Sequence, residues 1–158
     1  MRDPAITLAT PDDLPRLLAV WESSVRATHA FLPPGEIDRL APLVRDLLAS
    51  FVPLHVMRDD AGLPYAFLGV ADGAIEMLFV HDNWRGRGAG RRLVEHAVSA
   101  FGAKRVDVNE QNAQGVGFYR HLGFRQVARS PRDGQGHPYP ILHLLREDAP
   151  SRRRSISA

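Results

Sequence analysis

The chain has 158 residues, of which 44% are hydrophobic and 8% aromatic, and these values are typical of a folded domain rather than a disordered segment. Its formal net charge is only +2, which does not by itself indicate nucleic-acid binding, and the lack of cysteine excludes disulfides, cysteine nucleophiles and thiolate metal sites. No window approaches the roughly 20 apolar residues of a membrane helix, and the first residues lack the apolar stretch of a signal peptide. We therefore expect a soluble, cytoplasmic protein without a membrane partner.

The first third of the chain predicts one short strand and two amphipathic helices. Residues 5–9 are typical of a strand. Thr10, followed by a proline and two acids, predicts a helix start, and residues 14–25 carry apolar side chains at spacings of three and four. A second amphipathic stretch covers residues 37–51, and we expect a break or kink there at Pro42.

The remainder predicts strands interrupted by two helices. Asp72 and Gly73 separate two strand candidates and indicate a tight antiparallel hairpin. The predicted strands are 54–58, 65–71, 75–80, 105–108, 124–129 and 141–145, and the predicted helices are 93–101 and 112–122. This order predicts a mixed α+β fold with a mostly antiparallel central sheet. We expect residues 1–147 to form a single domain and residues 148–158 to form a flexible basic tail.

A turn rich in arginine and glycine, residues 85–92, precedes the helix at 93–101. It holds three glycines and four arginines in eight residues. The first amides of a helix lack intrahelical partners, glycine lets an anion approach the backbone, and arginine adds charge-assisted hydrogen bonds to phosphate. The turn lacks the Gly-Lys-Ser/Thr of a P-loop and the G-x-G-x-x-G spacing of a dinucleotide fold. Two interpretations remain open from these residues alone: a diphosphate site, or a solvated helix start that binds nothing.

A second motif lies in and after the helix predicted at 112–122 and consists of Asn112, Tyr119, Gly123 and Phe124. The turn contributes Arg85, Gly88 and Gly90. Together, these two motifs resemble those of the GNAT superfamily of N-acetyltransferases, which has an alanine where this chain has Gly115. The resemblance extends over roughly residues 5–145. It implies a GNAT-like fold with a splayed strand pair, acetyl-CoA as co-substrate and, in many relatives, a homodimer.

The resemblance also implies roles for individual residues. The turn would bind the pyrophosphate of CoA, and the end of strand 75–80 would pair with the pantetheine arm and polarise the thioester carbonyl. Tyr119 would protonate the departing thiolate as general acid, because a tyrosine with a pKa of ~10 remains protonated at neutral pH. Without the surrounding motif, the same tyrosine would be interpreted as a half-buried side chain on the apolar face of the helix, with Val116 and Leu122. The implied cofactor-binding residues are Leu78, Phe79, Val80, Arg85, Gly86, Arg87, Gly88, Ala89, Gly90, Arg91, Asn112 and Tyr119.

The general base is less defined by sequence. Glu76 lies on the strand that leads to the implied cofactor site, and strand alternation places it on the face opposite Met77 and Phe79. It is either the catalytic base or a solvated carboxylate. Rival candidates are Asp107, Asn109 and His29. The histidines show no metal-binding pair at helical spacing, so we expect no metal.

The acceptor would be a primary amine of a small molecule or a protein. The polar loop 130–139 is either part of the acceptor site or a long hairpin connection, and its candidate residues are Arg132, Asp133, His137 and Tyr139. An alternative function is a non-catalytic module that binds acyl-CoA. Nucleic acid is a disfavoured partner, because the arginine patches flank a turn and a tail and lack interleaved aromatic residues.

Overall fold

The computed structural model describes residues 5–147, which form two compact units that meet in sequence between Ala103 and Lys104. Each unit has its own antiparallel strands and at least one helix. No helix of residues 5–147 is long and apolar enough to cross a membrane. The predicted tail, residues 148–158, lies outside the described residues, and the single domain over 1–147 stays a prediction.

The first unit contains four strands and three longer helices. Its strands pair in the order β1-β2-β3-β4, and each pair is antiparallel. The predicted hairpin between β3 and β4 is confirmed, because Asp72 and Gly73 have φ angles of 52° and 78°, the geometry of a two-residue hairpin turn. The elements are β1 (Ile6–Leu8), α1 (Leu14–Thr28), α2 (Glu36–Ser50), β2 (His55–Arg58), β3 (Pro64–Ala71), β4 (Ala74–Val80) and α3 (Ala89–Phe101).

The core of the first unit lies between helices α1 and α2 and the strands beneath them. Helix α1 contributes a stripe of apolar side chains at spacings of three and four, as the sequence predicts. Phe67 of β3 and Met77 of β4 belong to the same buried cluster. The α1 residues in this cluster are Leu17, Val20, Trp21 and Val25.

Of the break or kink predicted at Pro42, the break is wrong, because helix α2 runs from Glu36 to Ser50 with this proline inside it. An internal proline removes one hydrogen bond and costs about 3 kcal/mol in a helix. Tertiary packing outweighs this cost, since an apolar stripe of α2 lies against the core on both sides of the proline. The stripe consists of Ile37, Leu40, Ala41, Val44 and Leu48.

The second unit contains three strands and one helix. Its elements are β5 (Arg105–Asn109), α4 (Ala113–His121), β6 (Phe124–Ser130) and β7 (Ile141–Arg146). Strand β7 lies between β5 and β6, and both pairings are antiparallel. The pairing of β6 with β7 shifts register at Val127, which is an extra residue on β6.

Candidate functional site

Strand β4 ends at the residues that the sequence assigns to the cofactor. Leu78, Phe79 and Val80 are partly buried and pair with β3. The next amide, that of His81, donates a 2.8 Å hydrogen bond to the Tyr65 carbonyl of β3. Because amides on an antiparallel strand alternate in direction, those of Leu78 and Val80 point away from β3.

A short 3-10 turn, Asp82–Trp84, connects β4 to the glycine turn. The Asp82 amide donates to Ser23 Oγ of helix α1 at 3.0 Å, and the Asn83 amide donates to His81 Nδ1 at 3.1 Å. These bonds use the first amides after the strand and tie the segment to the first unit. The start of α3 is set by the glycines that follow this segment.

The glycine turn opens helix α3 with two residues in the left-handed region. Gly86 and Gly88 have φ angles of 76° and 86°, which residues with a Cβ rarely adopt. Gly88 is the residue immediately before the helix and has no side chain to cap it. Within residues 5–147, the first helical amides therefore have no side-chain cap, and they belong to Ala89, Gly90 and Arg91. Such a helix start can bind an anion.

The arginines of the turn differ in their partners. Arg85 forms an ion pair with Asp82 at 3.1 Å, and Arg91 forms one with Glu95 at 3.3 Å. Exposed ion pairs of this kind contribute about 0–1 kcal/mol, so a phosphate can replace the carboxylates at little cost. Both arginines thus fit the anion-binding role implied by the sequence.

Arg87 lies against an aromatic stack. Its guanidinium carbon is 4.8 Å from the centroid of the Trp84 ring, and Trp84 stacks on the Tyr65 ring at 3.9 Å between centroids. This cation–π contact holds Arg87 beside the glycine turn. Trp84 and Tyr65 were not predicted from the sequence, because the stack joins residues that are 19 positions apart in the chain.

Helix α4 of the second unit begins in a different way. The Asn112 side chain caps it, since Oδ1 accepts a 3.0 Å hydrogen bond from the Gly115 amide. A Cβ at Gly115 would lie 2.5 Å from Asn112 Nδ2 and 3.2 Å from Val108 Cγ2. An alanine at this position would therefore require the Asn112 side chain to move. Gly117 has no such neighbour in the described part of the chain, because a Cβ there would meet nothing within 4 Å.

Tyr119 lies on helix α4 and is 7% exposed. Its ring packs edge-on against Phe118 and Phe124, with centroid distances of 5.0 and 5.5 Å. Burial raises the pKa of Tyr119 well above its usual range, so the phenol keeps its proton at neutral pH. This protonation state is the one that a general acid needs.

Glu76 is exposed between buried Ile75 and Met77, which agrees with the alternation of side chains along this strand. Met77 lies opposite Gly69 and Ile75 lies opposite Val70, so Glu76 is also the extra residue of a β-bulge. An exposed carboxylate at this point remains compatible with either catalysis or solvation.

The other base candidates have different environments. Asn109 Oδ1 accepts from the Gln111 amide at 2.9 Å, and Asp107 Oδ1 lies 2.7 Å from His143 Nδ1. His29 is half-buried, and its Nδ1 lies 2.7 Å from Thr28 Oγ1. Burial lowers the pKa of His29, so its imidazole is neutral at neutral pH and can accept a proton.

The loop 130–139 is organised by its own polar groups. Asp133 Oδ1 accepts from the amides of Gln135 and His137, each at 2.9 Å, and Arg132 Nη1 donates to the Gly136 carbonyl at 3.1 Å. These bonds give the connection a defined form. They also occupy Oδ1 of Asp133, one of the predicted acceptor residues.

Comparison with known proteins decides the family. Residues 53–126 match the model of the acetyltransferase (GNAT) domain. The chain is 41% identical over 130 residues to the peptidyl-lysine N-acetyltransferase YjaB of Salmonella typhimurium, covering 82% of this chain and 89% of the relative. The chain belongs to the GNAT family of acetyltransferases. It is therefore an acyltransferase enzyme, as the resemblance of its motifs predicts.

Solved structures confirm the fold of this GNAT acetyltransferase. Apo-form YjaB from Escherichia coli, solved in solution, has a TM-score of 0.86 and 38% identity, covering 94% of this chain and all of the other. The PaiA N-acetyltransferase of Thermoplasma acidophilum, in complex with coenzyme A, has a TM-score of 0.66 and 19% identity, covering 90% of this chain and 98% of the other. The predicted mixed, mostly antiparallel GNAT fold is confirmed.

Proposed function

We propose that this enzyme transfers the acetyl group of acetyl-CoA directly to a primary amine, with a lysine side chain of a protein as acceptor. The glycine turn carries the proposal, because it opens helix α3 with positive-φ glycines and a helix start that no side chain caps among the described residues. The relatives named peptidyl-lysine N-acetyltransferases favour lysine over a small-molecule amine. An enzyme family also disfavours the alternative of a non-catalytic acyl-CoA-binding module.

The cofactor role rests on the chemistry of the turn. Backbone amides from Gly86 to Arg91 would bind the pyrophosphate, with Arg85, Arg87 and Arg91 adding charge. The structure that resembles this fold and contains coenzyme A supports a CoA ligand for the family. The family resemblance assigns Asn112 a hydrogen bond to the pantetheine arm, for which its Nδ2 remains suited because Oδ1 serves the helix cap.

The acid step is assigned to Tyr119. As the acceptor nitrogen bonds to the carbonyl carbon, the carbon–sulfur bond breaks and the sulfur takes the phenolic proton. Burial raises the pKa of Tyr119, so the phenol carries its proton throughout the neutral range. A general acid contributes about 10²–10⁴-fold to a rate.

Two further roles belong to the first unit. An amide of the Leu78–Val80 segment would polarise the thioester carbonyl, and those of Leu78 and Val80 have the required direction away from β3. Glu76, exposed on β4, would remove the proton of the lysine ammonium through water. His29 is the rival base, since the lowered pKa of its imidazole keeps it unprotonated.

The Tyr119→Phe variant tests the proposed mechanism. Phenylalanine keeps the ring contacts with Phe118 and Phe124 but removes the proton donor. We expect kcat for acetylation of a lysine-containing peptide to fall about 10²–10⁴-fold, while the affinity for acetyl-CoA measured by calorimetry stays within a factor of two or so of wild type. An unchanged kcat would exclude Tyr119 as the acid.

The acceptor class is tested separately with wild-type enzyme. Thiol release from acetyl-CoA is measured with a lysine peptide, with the same peptide carrying arginine instead, and with a panel of small amines. We expect turnover with the lysine peptide and none with the arginine peptide. Turnover confined to small amines would contradict the protein acceptor while leaving the transferase assignment intact.

Glu76→Gln and His29→Gln distinguish the two bases. Both substitutions keep hydrogen-bonding capacity and remove the proton acceptor. The variant that loses kcat about 10²-fold or more identifies the base. If neither variant loses activity, the amine is deprotonated before it binds, and both assignments fail.

A further inference from the structure

Three side chains on one face of the second unit form a hydrogen-bonded chain. His143 Nδ1 lies 2.7 Å from Asp107 Oδ1, and His143 Nε2 lies 2.7 Å from Ser130 Oγ. His143 lies on strand β7, Asp107 on β5 and Ser130 on β6. The His143 side chain is 33% exposed and that of Asp107 is 66% exposed, so solvent reaches the group.

Strand register explains why the three side chains meet. Asp107 lies directly opposite His143 in the β5–β7 pairing. Ser130 lies opposite Ile141, two positions from His143, and residues at i and j±2 share a face of an antiparallel pair. The strand register therefore places both Asp107 and Ser130 next to His143.

The bulge at Val127 brings Ser130 to this face. Before the bulge, Gln126 pairs with Leu144, and after it Ala128 pairs with His143. Without the extra residue, Ser130 would take the opposite parity and share the face of buried Leu144. Bulges often re-aim side chains beside active sites, and here the bulge completes the contact between Ser130 and His143.

The chemistry of the carboxylate fixes the tautomer of His143. An ionised Asp107 can only accept a hydrogen bond, so Nδ1 carries the proton and donates it. Nε2 of the neutral ring then has a lone pair, and Ser130 Oγ must be the donor in that bond. The hydroxyl thus points its proton at a basic nitrogen that is oriented by a carboxylate, which is the arrangement of an activated serine nucleophile.

We propose that Ser130, His143 and Asp107 form a second acyl-transfer centre that accepts an acyl group from activated acyl esters. Ser130 Oγ bonds to the ester carbonyl carbon while its proton passes to His143 Nε2. The carbon–oxygen bond to the leaving group breaks, and the leaving oxygen takes that proton, or departs as an anion while His143 releases the proton to solvent. Water then attacks the acyl-serine and passes a proton to His143 Nε2. As the acyl bond to Ser130 Oγ breaks, His143 returns the proton to that oxygen, which releases the carboxylic acid and restores the serine. Asp107 acts as a positioning residue for His143.

The test uses the full-length protein and p-nitrophenyl acetate. We expect release of nitrophenolate above the buffer rate. We also expect an acetyl adduct of about 42 Da, which tandem mass spectrometry places on Ser130. Ser130→Ala should abolish the adduct, and His143→Gln should slow its formation about 10²–10⁴-fold. Ser50→Ala is the matched control, since that hydroxyl donates to the Leu47 carbonyl and not to a histidine, and it should leave the adduct unchanged.

Asp107 needs a readout that a structural role would not move. Asp107→Asn removes the charge that fixes the tautomer, so we expect slower acetylation of Ser130 at an unchanged midpoint of thermal unfolding. Asp107→Glu should restore part of the rate. Wild-type protein that forms no adduct, or an adduct that persists in Ser130→Ala, would overturn the proposal, as would equal acetylation rates in His143→Gln and wild type.

Discussion

Helices α3 and α4 begin in opposite ways. Helix α3 starts after Gly88, which has φ of 86° and no side chain to cap the first amides. Helix α4 starts at Asn112, whose own side chain accepts the Gly115 amide. The positive end of α3 has no side-chain cap among the described residues, whereas the Asn112 side chain caps the positive end of α4. The glycines at the two starts therefore have different roles: Gly88 precedes a helix without a side-chain cap, whereas the Gly115 amide donates to the side-chain cap of its helix.

Helix α1 provides a third type of start. Asp13, immediately before α1, accepts the Thr10 amide at 2.8 Å and binds Arg58 through both carboxylate oxygens at 2.9 and 2.7 Å. Together these bonds hold the pKa of Asp13 at about 2. The three starts thus differ: Asn112 caps α4, whereas α3 and α1 have no side-chain cap from the residue before them, and a partly buried ion pair lies beside the start of α1. Substitutions at each should separate ligand binding from stability.

The largest effect is expected at the start of α3. Gly88→Ala forces a Cβ into a left-handed conformation, so the turn should relax and move the amides away from the phosphates. Losing one or two charge-assisted hydrogen bonds of about 1.5–3 kcal/mol would weaken acetyl-CoA binding roughly 10–100-fold or more, as measured by calorimetry. Gly62→Ala is the matched control, because Gly62 has φ of 85° and equally open surroundings. Equal losses of affinity in both variants would refute a specific role of the α3 start.

At the start of α1 the expected effect is on stability. Arg58→Met should lower the free energy of unfolding at neutral pH by about 1–3 kcal/mol, because Asp13 loses its charged partner. The pKa of Asp13 in the folded state, about 2, lies below its usual value near 4, so this stabilisation is present above pH ~4 and is lost as pH falls through ~2. Chemical denaturation at pH 7 and pH 2 measures the difference.

The matched control for Arg58 is Arg125→Met, which breaks an exposed ion pair with Glu147. It should cost less than about 1 kcal/mol at any pH. If Arg58→Met and Arg125→Met lower the free energy of unfolding equally at pH 7, the Asp13–Arg58 ion pair stabilises the protein no more than an exposed ion pair does.

Sequence alone predicts the elements that local chemistry specifies. Thr10 with its acids, the Asp72-Gly73 hairpin and the glycines of the turn each have a residue type that the backbone conformation requires. The predicted break at Pro42 was wrong, because long-range packing outweighs a local preference there. The predicted start of α3 at residue 93 was also wrong, because the helix begins at Ala89, within the glycine turn.

The β-bulges at Glu76 and Val127 mark the other limit of sequence-based prediction. Both are ordinary strand residues, and nothing in their types indicates an extra position. The bulge at Val127 changes which side chains of β6 share a face, so simple alternation gave no reason to connect Ser130 with His143. The stack of Arg87 on Trp84 and Tyr65 was missed for a related reason, because register across β3 and β4 brings it together.

Substitutions can separate two roles of Asn112, capping of helix α4 and the proposed contact with the ligand. Asn112→Ala removes the acceptor for the Gly115 amide and should cost about 1 kcal/mol of stability. Asn112→Asp keeps that acceptor at a helix N-terminus, where negative charge is favourable, so its stability should equal or exceed that of wild type. If Asn112 also donates to the pantetheine arm, both variants lose affinity for acetyl-CoA. Full affinity in Asn112→Asp would limit Asn112 to capping.

The smallest effects distinguish two glycines within α4. Gly117→Ala replaces a glycine that has open space around its Cβ position, so it should stabilise the protein by up to about 1 kcal/mol through helix propensity. Gly115→Ala gains the same propensity but places a Cβ 2.5 Å from Asn112 Nδ2, which must move and disturb the cap. Because the lost cap is worth about as much as the gained propensity, Gly115→Ala should be neutral or destabilising. A stabilisation in Gly115→Ala equal to that in Gly117→Ala, measured by denaturant titration, would show that the α4 start tolerates the family's alanine and that the cap contributes little.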